Sequence, residues 1–113
     1  MITDFSFGKI VVNGKAYSDD IKIVRGQVIP EWWRKSGHRV DVEDIADILE
    51  SGPDIVIIGK GSPGLMKTST HLRESLEANN IVLIEKKTSK AIEVFNKLFQ
   101  ESRKVAAGFH ITC

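Results

Sequence analysis

Over the first thirty residues apolar and polar positions roughly alternate, the period of strands with one wet face. Lys9-Ile10-Val11-Val12 and Lys15-Ala16-Tyr17-Ser18 flank Asn13-Gly14, the pair that most readily takes the positive φ angles of a tight hairpin turn. Ile21-Lys22-Ile23-Val24 and Gln27-Val28-Ile29 flank Arg25-Gly26, a weaker form of the same signal. The spacing predicts an N-terminal antiparallel meander. After Pro30 the alternation stops, and residues 31–40 (EWWRKSGHRV) show neither the strand nor the helix period. Asp41 then reads as an N-cap with Asp44 three residues on. Val42, Ile45, Ala46 and Leu49 form a helical stripe that ends at Gly52-Pro53.

Two short β-branched runs follow, Ile55-Val56-Ile57-Ile58 and Ile81-Val82-Leu83-Ile84. Their continuity predicts strands buried on both faces of a parallel sheet. Between them, Thr68 or Ser69 caps a helix carrying Leu72 and Leu76 and stopping at Asn79-Asn80, which makes one βαβ unit. Thr88 or Ser89 opens the clearest helix, with Ala91, Ile92, Phe95, Leu98 and Phe99 on one stripe. Residues 105–112 supply a last strand. The expected fold class is α/β in three layers: a central mixed sheet with helices on it and an N-terminal antiparallel meander, as a single domain over residues 1–113.

Composition changes little in this picture and closes several functional avenues. Sixteen Lys and Arg face fifteen Asp and Glu, and 42% of residues are hydrophobic, ordinary values for a globular chain. Residues 1–56 carry seven bases and ten acids, and residues 57–113 carry nine bases and five acids. That mild polarity is not the basic stripe a nucleic-acid backbone demands, so no nucleic-acid partner is expected. No apolar run approaches the roughly 20 residues of a membrane helix, and the first residues do not read as a signal peptide. The single cysteine, Cys113, excludes an internal disulfide framework and fits a reducing, cytoplasmic setting.

Gly59-Lys60-Gly61-Ser62-Pro63-Gly64 matches G-x-G-x-x-G after a strand, and Glu85 stands 21 residues beyond Gly64. Glycines there let N–H groups approach a phosphate. Against that, Pro63 removes one N–H, the helix begins several residues late, and 113 residues offer only one βαβ. The segment therefore reads as a strand-exit turn, and no cofactor is expected. Gly59, Lys60, Gly61 and Glu85 still fall at the carboxyl ends of the parallel strands, where open sheets gather ligands. The second cluster is Trp32, Trp33, Arg34, His38 and Arg39. At least one Trp is expected to pack on the sheet. Arg34 is expected to pair with a nearby acid, Glu31 or Asp41, or else to bind a ligand carboxylate. His38, His71 and His110 show no paired spacing and have no second cysteine beside them, so no metal site is expected. No nucleophile elbow or Cys–His context is present in the sequence, and no catalytic residue is assigned.

The chain resembles a family of small proteins without an agreed catalytic set. That family takes in archaeal and bacterial members, the animal adipogenesis-associated domain protein and a mitochondrial complex I assembly factor. The resemblance is carried by Phe7-Gly8-Lys9-Ile10-Val11-Val12-Asn13-Gly14, Trp33-Arg34-Lys35-Ser36-Gly37-His38, Ile57-Ile58-Gly59-Lys60-Gly61, Phe95-Asn96-Lys97-Leu98, and residues 105–113 (VAAGFHITC). It implies a three-layer α/β fold and makes the glycine segment a family strand-exit turn. Gly64, Pro63 and Glu85-Lys86-Lys87-Thr88 depart from the family pattern. The expected function is a non-enzymatic protein-binding or assembly module, acting on a protein partner or by self-association. The alternative is a small-anion or metabolite site built from Trp33, Arg34, His38, Gly59, Lys60, Gly61 and Glu85.

Overall fold

The computed structural model describes residues Met1–Cys113. A central five-stranded sheet has strands β4 (Ile21–Val24), β5 (Gln27–Ile29), β7 (Ile55–Lys60), β9 (Val82–Lys86) and β10 (Val105–His110), in the order β5-β4-β10-β7-β9. The β4-β5 hairpin and its pairing to β10 are antiparallel; β10 with β7 and β7 with β9 are parallel. The sheet is therefore mixed, and β10, the last strand in the chain, lies at its centre. Strands β1 (Ile2–Ser6), β2 (Lys9–Val12) and β3 (Lys15–Tyr17) form a separate antiparallel meander. Asn13 and Gly14 take φ of 50° and 83°, the left-handed pair the β2-β3 turn requires. A two-residue parallel ladder joins β6 (Arg39–Val40) to β8 (Lys67–Thr68).

Side chains alternate across the sheet. Ile55, Ile57, Val105, Ala107 and Phe109 share one core with Ala91, Ile92 and Phe95 of helix α3 (Thr88–Gln100) and with Ile2, Ile10 and Val12 of the meander. Val56, Ile58 and Ala106 share the other core with Ile45, Ile48, Leu72 and Leu76. The latter two belong to α2 (Thr70–Ala78), whose first turn is capped by the Ser69 hydroxyl accepting from the Leu72 N–H. Helices thus cover both faces, giving the three expected layers.

Two local expectations change. Residues 42–45 wind as a 3₁₀ turn before the short α1 (Ala46–Glu50). The tighter winding turns Ala46 out to solvent, while Val42, Ile45 and Leu49 stay on the core side as expected and Ile48 joins them. The Asp41–Asp44 capping box forms as read. Strand β9 is not covered on both faces along its length: it is the sheet edge, and Val82 is exposed. A run of apolar residues does not distinguish an edge strand of a parallel sheet from a central one.

A candidate functional site at the carboxyl end of the sheet

Three residues far apart in sequence meet where β10 ends. The β3-β4 connection supplies Asp20, the loop after β5 supplies Arg34, and β10 supplies His110. Asp20 Oδ2 lies 2.7 Å from Arg34 Nη2 and 2.7 Å from His110 Nδ1, and Asp20 Oδ1 accepts the Ile111 N–H at 2.8 Å. The Arg34 and His110 side chains are 5% and 7% exposed. A carboxylate only accepts, so the His110 proton sits on Nδ1, and Arg34 Nη2 and His110 Nδ1 donate side by side to one oxygen. Burial alone would raise the Asp20 carboxyl. The bonds from His110, Ile111 and Arg34, with the Arg34 charge, outweigh it and hold the group below its ordinary value.

A tryptophan seats this cluster. Trp32 is buried, its ring lies on Gly108 and its Nε1 donates to the Asp44 carbonyl at 2.9 Å. The Arg34 guanidinium stacks 4.6 Å above the indole and also donates to the Gly37 carbonyl at 2.9 Å. A Cβ on Gly108 would fall 2.6 Å from Trp32 Cη2, so the close approach requires glycine. Trp33 is 73% exposed. Arg34 is thus paired as one of the two sequence readings held, but its partner is Asp20. Asp41 instead caps the 3₁₀ turn and accepts from the Ser69 hydroxyl at 2.9 Å, and Glu31 makes no ion pair.

A cleft of about 380 Å³ opens beside the cluster, lined by Asp20, Trp33, Arg34, His38, His110 and Cys113 among others. His38 meets His110 edge-on at 5.7 Å, and Cys113 Sγ lies 3.9 Å from His38 Nε2. This Cys–His proximity has no local sequence signal, because 75 residues separate the two. His110 Nε2 and Arg34 Nε are buried without a partner. Leaving one such group unpaired costs about 1–3 kcal/mol. His110 Nε2 reaches no hydroxyl or thiol, so the Asp20–His110 pair is not continued to a nucleophile.

The remaining site residues from the sequence lie outside this cleft. Gly61 N donates to the Thr88 hydroxyl at 2.8 Å and Ser62 N to the Thr112 carbonyl at 2.8 Å, so the glycine turn spends these N–H groups within the fold. Gly61 has φ of 95°, and a Cβ there would collide with the Thr112 carbonyl. A Cβ on Gly59 would meet Phe109 Cδ1 at 2.9 Å and Thr88 Oγ1 at 3.0 Å. Both glycines are explained by packing. Lys60 and Glu85 do not line the cleft, and the Glu85 carboxylate accepts from the Thr68 hydroxyl at 2.7 Å. The structure brings Trp33, Arg34 and His38 together and leaves Gly59, Lys60, Gly61 and Glu85 beyond the cleft's walls. Asp20 carries no signal in the sequence, since Ser18-Asp19-Asp20 reads as an ordinary solvated turn.

No helix is long and apolar enough to cross a membrane. The protein MT938 has the same fold at 28% identity, with a TM-score of 0.83 over 100% of this chain and 98% of that one. A conserved hypothetical protein from Pyrococcus horikoshii OT3 matches at 23% identity and a TM-score of 0.85, over 100% and 99% of the two chains. An outer membrane protein from Bartonella henselae matches at 24% identity and a TM-score of 0.85, over 99% and 94%. These last two share the fold. Residues 2–110 match the family described as protein of unknown function (DUF498/DUF598), and the chain belongs to that family.

Proposed function

We propose that residues 1–113 act as a single non-enzymatic protein-binding or assembly module in the cytoplasm, through the surface around the end of β10. The observation that carries this is the placement of three exposed apolar side chains. Phe7, Trp33 and Leu65 stand on three different loops, and each loop is tied to, or shares a cleft with, residues 111–113. Gly8 N donates to the Ile111 carbonyl at 2.7 Å, Ser62 N donates to the Thr112 carbonyl, and Trp33 lines the cleft with Thr112 and Cys113. Large exposed apolar side chains on loops anchored to the same chain segment, with the Arg34 charge already paired, suit a protein surface better than a small anion. The Arg34 fork is occupied and the Gly61 and Ser62 N–H groups are spent, which leaves the anion reading Lys60 as its unpaired cation. The resemblance to a family containing a mitochondrial complex I assembly factor supports an assembly role, and the lone cysteine suits a reducing compartment.

Sedimentation over a concentration series, paired with pull-down from native lysate, tests the reading. The wild-type protein should self-associate or retain a defined partner. Replacing Phe7, Trp33 and Leu65 together by Ala should abolish that association while leaving the circular dichroism spectrum unchanged. A wild-type protein that stays monomeric and retains nothing overturns it.

A further inference from the structure

At the opposite end of β10 a second cleft of about 350 Å³ is lined by Arg25, Gly26, Pro53, Phe99, Arg103 and Lys104, with Val105 and residues 51 and 52 completing it. Its charged lining is of one sign. The clefts beside Trp33 and beside Tyr17 each mix acids with bases, whereas this one holds three cations and no carboxylate. None of the three is in an ion pair. Arg25 makes one long bond, 3.3 Å, to the Ser51 carbonyl at the end of α1, which leaves most of its fork free.

The floor adds a second requirement. Phe99 is 40% exposed, a large aromatic left open on the last turn of α3. Phe95 stacks against it at 5.7 Å with the planes 16° apart and fixes the ring's orientation. Gly26 stands over its edge: a Cβ there would touch Phe99 Cε1 and Cζ at 3.4 Å, so the absent side chain leaves the ring uncovered. An oriented aromatic ring beside unpaired guanidinium and ammonium groups matches a planar ring carrying a multiply charged oxyanion. The volume lies within the range of small-molecule clefts.

We infer that this cleft binds a mononucleotide, with the phosphate held by Arg25, Arg103 and Lys104 and the base packed against Phe99. The site lies at the amino ends of the parallel strands and is independent of the protein-binding surface proposed above. Calorimetric titration at low salt with adenosine monophosphate, adenosine and inorganic phosphate tests it. The monophosphate should bind at least tenfold more tightly than either fragment, since each fragment meets only half of the site. Joint replacement of Arg103 and Lys104 by Ala, and separately Phe99→Leu, should each weaken the monophosphate at least tenfold with the fold intact by circular dichroism. Chemical-shift mapping of the backbone amides of Gly26, Gly52 and Lys104 provides a readout that does not depend on the variants. Absence of binding, equal binding of phosphate and monophosphate, or shifts confined to the far end of β10 would each overturn the assignment.

Discussion

One strand, β10, links two charged regions that solve the same problem in opposite ways. At its carboxyl end Arg34 and His110 are buried, and a single carboxylate, Asp20, serves both. At its amino end Arg25, Arg103 and Lys104 remain unpaired around an open cleft. Desolvation explains the contrast. A buried guanidinium needs a partner, because a lone charge out of water is expensive, whereas exposed cations are stabilised by solvent and stay available. The buried cluster therefore pairs its charges within the fold, and the open one leaves its charges to solvent.

The sharpest test of the contrast is Asp20→Ala. It leaves Arg34 buried without a counter-charge and should destabilise the protein by about 3–5 kcal/mol in urea unfolding. A cost near zero would mean that the carboxylate is not what holds the cluster. Gly108→Ala presses a methyl into the Trp32 ring, which Asp44 and Arg34 hold in place. A loss of about 1–3 kcal/mol is expected, with altered tryptophan fluorescence. Acid titration separates charge from packing. Because the folded-state Asp20 carboxyl titrates below its ordinary value, its contribution is intact above about pH 4 and fades as pH falls toward the folded-state value. The Asp20→Asn variant should lack that portion of the acid slope. The smallest effect is at the other end, where Arg103→Ala should change stability by no more than about 0.5 kcal/mol. A large loss there would make that cation structural and collapse the distinction.

The two ends were unequally legible in the sequence. Asn13-Gly14 and Arg25-Gly26 announce their hairpins because the positive φ they need is local, and residues 55–58 announce a strand, though not its place in the sheet, by composition alone. The centrality of β10 is hidden, since Val-Ala-Ala-Gly-Phe-His is a weak strand signal and its β4 partners, such as Ile21 opposite Phe109, lie 88 residues away at most. The Asp20 pairing was hidden for the same reason: it joins residues 14 and 90 positions apart, and no period or spacing encodes it. A glycine inside a strand pattern, Gly108, was the available hint, because it marks close approach by another group.

The position of β10 also bears on how the chain reaches its fold. The β4-β5 hairpin pairs to one side of β10 and the β7-β9 pair to the other, with no ladder between them. Until residues 105–110 are in place, the five-stranded sheet exists as two separate two-stranded pieces, each marginal alone. Assembly of the sheet is thus a late, long-range event, and loop closure across more than eighty residues sets a high contact order. Chains cut short before residue 105 would expose two unpaired strand edges at once, so premature termination should yield aggregation-prone fragments, not a smaller stable core.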